Sequence, residues 1–216
     1  MYLTKNNHEG KNSDITSQLV VAEFMRPFTL TYDGPLLASG NDPPVQSMSK
    51  LDNIWAIRNR FESQMVRVYQ THPTLTSNWS AAQRVRVPIV RNGINFCALV
   101  RPWLGLGCEL DIKMLVNHEP GSVVTQAGDL DNRIKTLFDA LRVPKDNEFR
   151  GRKVELSDGH VFPCLLEDDS AITKLSIISE RWLDSANRAE NEVHLLIAVR
   201  VVVLKPNQIN EVFAMD

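Results

Sequence analysis

The stretch Val193–Leu204 has fewer structural options than any other part of this chain, because it is almost continuously apolar and β-branched. Such a run reads as an interior strand covered on both faces. The remaining sequence must therefore supply a sheet around it and helices to cover it. At 216 residues and 43% hydrophobic, the chain holds enough apolar material for one substantial core, and a single domain is expected.

Candidate strands recur along the chain. Phe28, Leu30 and Tyr32 alternate with Thr29 and Thr31, and Asp33-Gly34-Pro35 supplies turn residues. Arg84 to Val90 and Ile94 to Arg101 flank Asn92-Gly93, the strongest short hairpin signal, although Pro88 suggests an edge position. Leu110, Ile112, Met114 and Val116 alternate with Glu109, Asp111, Lys113 and Asn117, which predicts a strand with one dry and one wet face. Another strand is expected through Ile172 and Ile177.

Two helices are predicted. Ile54, Ile57, Phe61, Met65 and Val68 recur at steps of three and four, and Ser49 with Asp52 resembles a capping pair, so a helix runs from about Leu51 to Gln70. Leu130, Ile134, Leu137, Phe138 and Leu141 mark a second, from about Asp131 to Arg142. Residues 38 to 49 and the stretch after His72-Pro73 read as loops. Val143 to His160 is polar and charged and reads as an insertion, while residues 1 to about 17 form a polar arm with little to bury. The expected organisation is an arm over 1–23, then an α/β (α+β) domain over 24–216, with a mixed sheet packed by helices and an insertion at about 143–163.

The formal net charge of -2 excludes a uniformly basic nucleic-acid coat but not a local positive face. Three cysteines without C-x-x-C spacing and five scattered histidines form no zinc pattern, and a reduced, cytoplasmic protein is expected. No apolar run approaches membrane-spanning length, and the opening residues lack the apolar centre of a secretory signal.

Acidic residues gather at two points, Asp129/Asp131 and Glu167-Asp168-Asp169. Carboxylates spaced i, i+2 at a strand-to-helix junction project to one side of the extended segment. Their oxygens suit a hard divalent cation, Mg²⁺ or Mn²⁺, with coordination positions left to water and a phosphate. Lys135 lies one helical turn beyond Asp131 and shares its face. Each acid also has a plainer reading, Asp131 as a helix cap and Asp168-Asp169 as a polar turn. Grouped with Lys135 they leave a metal site open beside these readings, because like charges clustered without a cation repel.

Basic candidates for phosphate contact are Arg60 and Arg67 on one helix face, Arg84 and Arg86 on one side of a strand, and Lys145, Arg150, Arg152 and Lys153 in the insertion. Charged residues of this kind also commonly form solvated faces. Trp55, Trp79, Trp103 and Trp182 can stack on bases or serve as core anchors, and the cysteines read as core.

Asp-Leu-Asp-Asn-x-x-Lys at 129–135, Phe-Asp-Ala-Leu at 138–141 and Asp-Asp at 168–169 ahead of a strand together resemble the RusA family of Holliday junction resolvases. The resemblance extends over roughly residues 24–204 and is closest over 128–172. It implies a homodimer that cuts four-way DNA junctions using Mg²⁺. Asp129, Asp131 and Asp169 match the family's essential carboxylates and Lys135 its essential lysine, with Asp168 as a neighbouring ligand. The link between the acid blocks is longer than in the family, and the N-terminal arm is an addition. The expected activity is therefore metal-dependent cleavage of branched DNA in recombination and repair. The alternatives are a nuclease of flaps or forks and a catalytically silent junction-binding module.

Overall fold

The computed structural model describes residues 22–23, 25–38, 49–77, 79–117, 130–154, 161–183, 188–189, 191–208 and 210. It is a mixed α/β fold in which helices pack two mixed sheets. The closing strand β8 (Glu192–Val203) is the spine of the larger sheet. On one edge it pairs antiparallel with β1 (Ala22–Glu23) and β2 (Phe28–Pro35), and on the other with β5 (Leu106–Val116). Strand β7 (Ile172–Arg181) then adds parallel to β5. The smaller sheet holds β3 (Ile89–Arg91), β4 (Ile94–Val100) and β6 (Phe162–Leu166), with β3 antiparallel and β6 parallel to β4.

Strand β8 is interior by hydrogen bonding, as expected, but one of its faces is open over most of its length and is closed only at Val202 (3% exposed). Val193, Leu195, Ile197 and Val199 are fully buried (0%), whereas Leu196, Ala198 and Arg200 between them are exposed. An apolar run marks burial without saying on how many faces. Here the buried face packs against helices in the main core, and each fully buried Val, Leu or Ile contributes about 1.5–3 kcal/mol.

That covering layer comes mainly from α1 (Lys50–Thr71) and α4 (Leu130–Leu141). Helix α1 begins where Ser49 caps it: the Asp52 N–H donates to Ser49 Oγ at 3.2 Å, and the hydroxyl donates back to the Asp52 carboxylate at 2.6 Å. It stops at His72, whose N–H closes onto the Val68 carbonyl ahead of Pro73. Ile57, Phe61 and Met65 face the core, joined by Leu137, Ala140 and Leu141 of α4. No helix among the described residues is long and apolar enough to cross a membrane.

Several local expectations are corrected. The stretch after His72 is not a loop but two short helices, α2 (Pro73–Ser77) and α3 (Trp79–Val85). Arg84 therefore sits on a helix and Arg86 in the turn after it, so the two do not share one side of a strand. The alternation Arg-Val-Arg-Val mimics a strand, but Val85 is buried and Val87 is 45% exposed, so the period-two pattern is not obeyed. The hairpin itself forms as predicted, with Asn92 and Gly93 at φ 47 and 75 in the left-handed region that such a two-residue turn requires. Strand β2 continues through Gly34 and Pro35 instead of turning there.

The expected single sheet is two sheets. After β4, Pro102 opens a 3₁₀ turn over Pro102–Leu104 and Gly105 ends it at φ 68, redirecting the chain so that β5 joins β8. The last residues of the arm, Ala22–Glu23, form strand β1, and the rest of the arm lies outside the described residues.

Residues 155–160 of the expected insertion lie outside the described residues, and the part that is described is more than a solvated loop. Phe149 is 2% exposed and packs edge-on against Trp55 and Phe96 at ring separations of 5.4 and 6.1 Å. A buried ion network anchors the same segment. Glu148 accepts from Arg58 at 2.9 Å and from Arg142 at 2.6 Å, and Arg142 also reaches Asp139 at 2.7 Å. Burial pushes the Arg58 guanidinium down, whereas Glu148 and Asp139 hold Arg142 up against its own burial. Phe162 and Pro163, expected at the end of the insertion, already belong to β6.

Candidate functional site

Three parallel segments end together at one edge of the smaller sheet. Val100 of β4 and Leu166 of β6 are register partners. Arg142, the residue after α4, bridges to Leu166 in parallel, and the Val143 N–H donates to the Leu166 carbonyl at 2.9 Å. Three residues beyond this shared row the chain delivers Trp103, Asp169 and Lys145 respectively. The open carboxyl ends of parallel strands are where α/β proteins commonly gather ligand-binding groups.

The second acidic block lies at this edge. Its first member, Glu167, is tied down: its N–H donates to the Val100 carbonyl at 3.0 Å and its carboxylate accepts from Arg101 Nε at 2.9 Å. Asp168 is extended and caps the 3₁₀ turn Asp169–Ala171, its Oδ1 accepting from the Ser170 N–H at 3.0 Å. The hydrogen bonds from Ser170, aided by the charges of Lys145 and Arg142, hold the Asp168 carboxyl below the usual range, so it is an anion at neutral pH. Asp169 is exposed.

The turn packs against α4, the helix that carries Asp131 in its first turn. Asp131 is therefore helical and not extended as the i, i+2 geometry requires. It is exposed, and Lys135, one turn further on, is exposed as well. Residues four apart on a helix share a face, so carboxylate and ammonium project in the same direction. Asn132, between them, is half-buried, and Arg133 points into the protein (1% exposed). Asp129 lies outside the described residues, as does the strand-to-helix junction. Among the described residues no three of His, Cys, Asp and Glu stand together as a ligand set.

The basic candidates divide. Arg60 and Arg67 are exposed on α1, seven residues apart and on one face. Lys145, Arg150 and Lys153 are exposed, with Arg150 and Gly151 making a left-handed turn at φ 45 and 76. Arg152 is committed to an ion pair with Asp52 at the start of α1. Arg86 donates to the Tyr69 carbonyl at 3.1 Å and lies over the Tyr69 ring, while Arg84 has a buried nitrogen, Nη1, without a hydrogen-bond partner. Both arginines are thus partly used inside the fold.

Two residues at this edge were not singled out by the motif. Arg101 lies 66 positions from the Glu167 it engages, and only the β4–β6 pairing brings them together. Trp103 sits over Arg101 and had no distinguishing sequence signal among the four tryptophans. All three cysteines are free and buried, as expected of core residues, and burial pushes the Cys108 and Cys164 thiols up to about 12. No protein-family model, curated protein or solved structure matches the chain.

Proposed function

We propose that the protein is a cytoplasmic, divalent-metal-dependent endonuclease of branched DNA, acting as a homodimer on four-way junctions. The observation that carries this reading is the packing of the Asp169–Ala171 turn against α4, the helix on which Asp131 and Lys135 share a face. The spacing Asp-x-Asp-Asn-x-x-Lys at 129–135 with Asp168-Asp169 supports it further.

The donor chemistry fits a hard cation: carboxylate oxygens, no thiolate or imidazole, and in Asp168 a group held in its charged form. Asp129, Asp131 and Asp169 would hold Mg²⁺ or Mn²⁺, with Asp168 assisting, and the ion when bound supplies an activated water and neutralises phosphate charge. Lys135 presents a fixed positive charge on the Asp131 face, suited to the extra negative charge of a phosphodiester under attack. The amino end of α4 adds a favourable field for anions. Arg101 neutralises Glu167, which leaves Asp168 and Asp169 as the available acids of that block. Exposed Arg60, Arg67, Lys145, Arg150 and Lys153 are the candidates for backbone contact. A two-fold dimer is proposed because paired cuts in a symmetric junction require two sites related by the same symmetry.

The test incubates the full chain with end-labelled four-way junction, linear duplex and flap, in Mg²⁺ and in EDTA. Paired nicks on the junction in Mg²⁺ alone are expected. Cleavage of flaps in preference to junctions would move the target to other branched DNA, and metal-independent binding without any cut would make the protein a junction-binding module.

A further inference from the structure

Trp103 stands 48% exposed just past the end of β4, and the turn that carries it keeps it there. Pro102 fixes the backbone on one side and left-handed Gly105 on the other. Leu104 is fully buried, and its carbonyl accepts from Asn210 Nδ2 at 2.8 Å. A side chain at position 105 would meet Asn210 at 2.8 Å and the Lys205 carbonyl at 3.0 Å, so this turn has little room to relax. With Leu104 pinned inward, the neighbouring indole is directed outward.

One face of that indole is already occupied. The Arg101 guanidinium carbon lies 5.2 Å from the ring centroid, and Arg101 is only 4% exposed. The cation is itself immobilised, its Nε donating to Glu167 at 2.9 Å and its Nη1 to the Val87 carbonyl at 2.8 Å. The exposed half of the ring therefore lies away from Arg101 and faces solvent. A cation held behind an indole also draws electron density from it, which favours stacking by an electron-rich flat group on the free face.

The position of this platform indicates which flat group it takes. Trp103, Asp169 and Lys145 leave the same register row, and Glu167, which holds Arg101, immediately precedes Asp168. The indole is thus coupled through one rigid guanidinium to the acid turn. We propose that Trp103 stacks on an unpaired nucleobase beside the scissile phosphate, giving the protein a preference for DNA whose bases are open at the cut over continuous duplex. This inference rests on the nuclease reading of the acid turn. A base inside a duplex has both faces covered by its neighbours, so only an unstacked nucleotide offers a face to the ring.

The experiment titrates the full chain, in EDTA so that no strand is cut, with a branched duplex carrying one unpaired 2-aminopurine nucleotide at the branch, and with blunt duplex. Wild-type protein is expected to quench the 2-aminopurine fluorescence on binding. Trp103→Ala should abolish the quenching and weaken binding of the branched DNA about tenfold, leaving duplex binding unchanged, whereas Trp103→Phe should retain most of both signals. If Trp103→Ala binds and quenches as wild type does, or loses branched and duplex DNA equally, the stacking role is overturned and the nuclease reading stands. If the wild-type chain binds neither DNA, both are overturned.

Discussion

Asp131→Asn is expected to slow cleavage of a four-way junction in Mg²⁺ by about a hundredfold or more, the scale on which single preorganised charges act on a transition state. Junction affinity in EDTA should be unchanged. The substitution is nearly isosteric, and the side chain is exposed in the first turn of α4, so the fold is undisturbed. What it removes is one negative charge proposed to hold the metal, while every exposed arginine and lysine proposed to meet the phosphate backbone stays in place. Single-turnover cleavage together with a gel-shift titration separates the two effects. Loss of binding along with cutting would make Asp131 part of the contact surface, and unchanged cutting would remove it from the site.

Glu148→Ala is expected to cost about 3–5 kcal/mol of folding stability, the range for breaking a buried ion pair by deleting one partner. Glu148 accepts from both Arg58 and Arg142, at 2.9 and 2.6 Å, and both guanidiniums are nearly buried, at 1% and 4% exposure. Arg58 Nε and Nη1 already lack hydrogen-bond partners. Without Glu148, Arg58 keeps only the Asp139 carbonyl at 2.5 Å and the Trp55 ring, neither of which carries a full negative charge. Arg142 retains Asp139, so most of the loss falls on Arg58. Urea unfolding measures it as a lower midpoint with the same slope. A loss below about 1 kcal/mol would place Glu148 among surface pairs of small value. The network joins α1, the end of α4 and the segment leading to Lys145, so this change should also loosen the edge that holds the acid turn.

Elements built on a single period were legible in the sequence. The three-and-four spacing of Ile54, Ile57, Phe61 and Met65 became α1, with Ser49 capping it as expected. The alternation around Ile112 became β5, and Asn92-Gly93 turned its hairpin. Harder to read were places where composition hides packing. Polar residues around Phe149 disguised a segment anchored by one aromatic ring and one glutamate. The run through β8 gave no hint that Leu196 and Ala198 face solvent, because apolar residues on an open sheet face look the same in sequence as buried ones.

The candidate site divides the same way. Asp131, Lys135, Asp168 and Asp169 are close in sequence to motif partners and could be named from spacing alone. Arg101 and Trp103 depend on the pairing of Val100 with Leu166, a long-range contact that no local pattern encodes. Arg84 and Arg86 do not form a strand pair for a related reason. Local alternation suggested one geometry, and the buried position of Val85 selected another.

Paramagnetic broadening by Mn²⁺ probes the pairing of the two acidic blocks most directly. The full chain, labelled with ¹⁵N, is titrated with substoichiometric Mn²⁺ while backbone amide signals are followed. If one ion is shared, the amides around Asp131 and those of Asp168 to Ser170 should broaden together at the same metal concentration and recover together on addition of excess Mg²⁺. Broadening of one block alone, or of the two at clearly different concentrations, would contradict a common metal centre and with it the proposed chemistry.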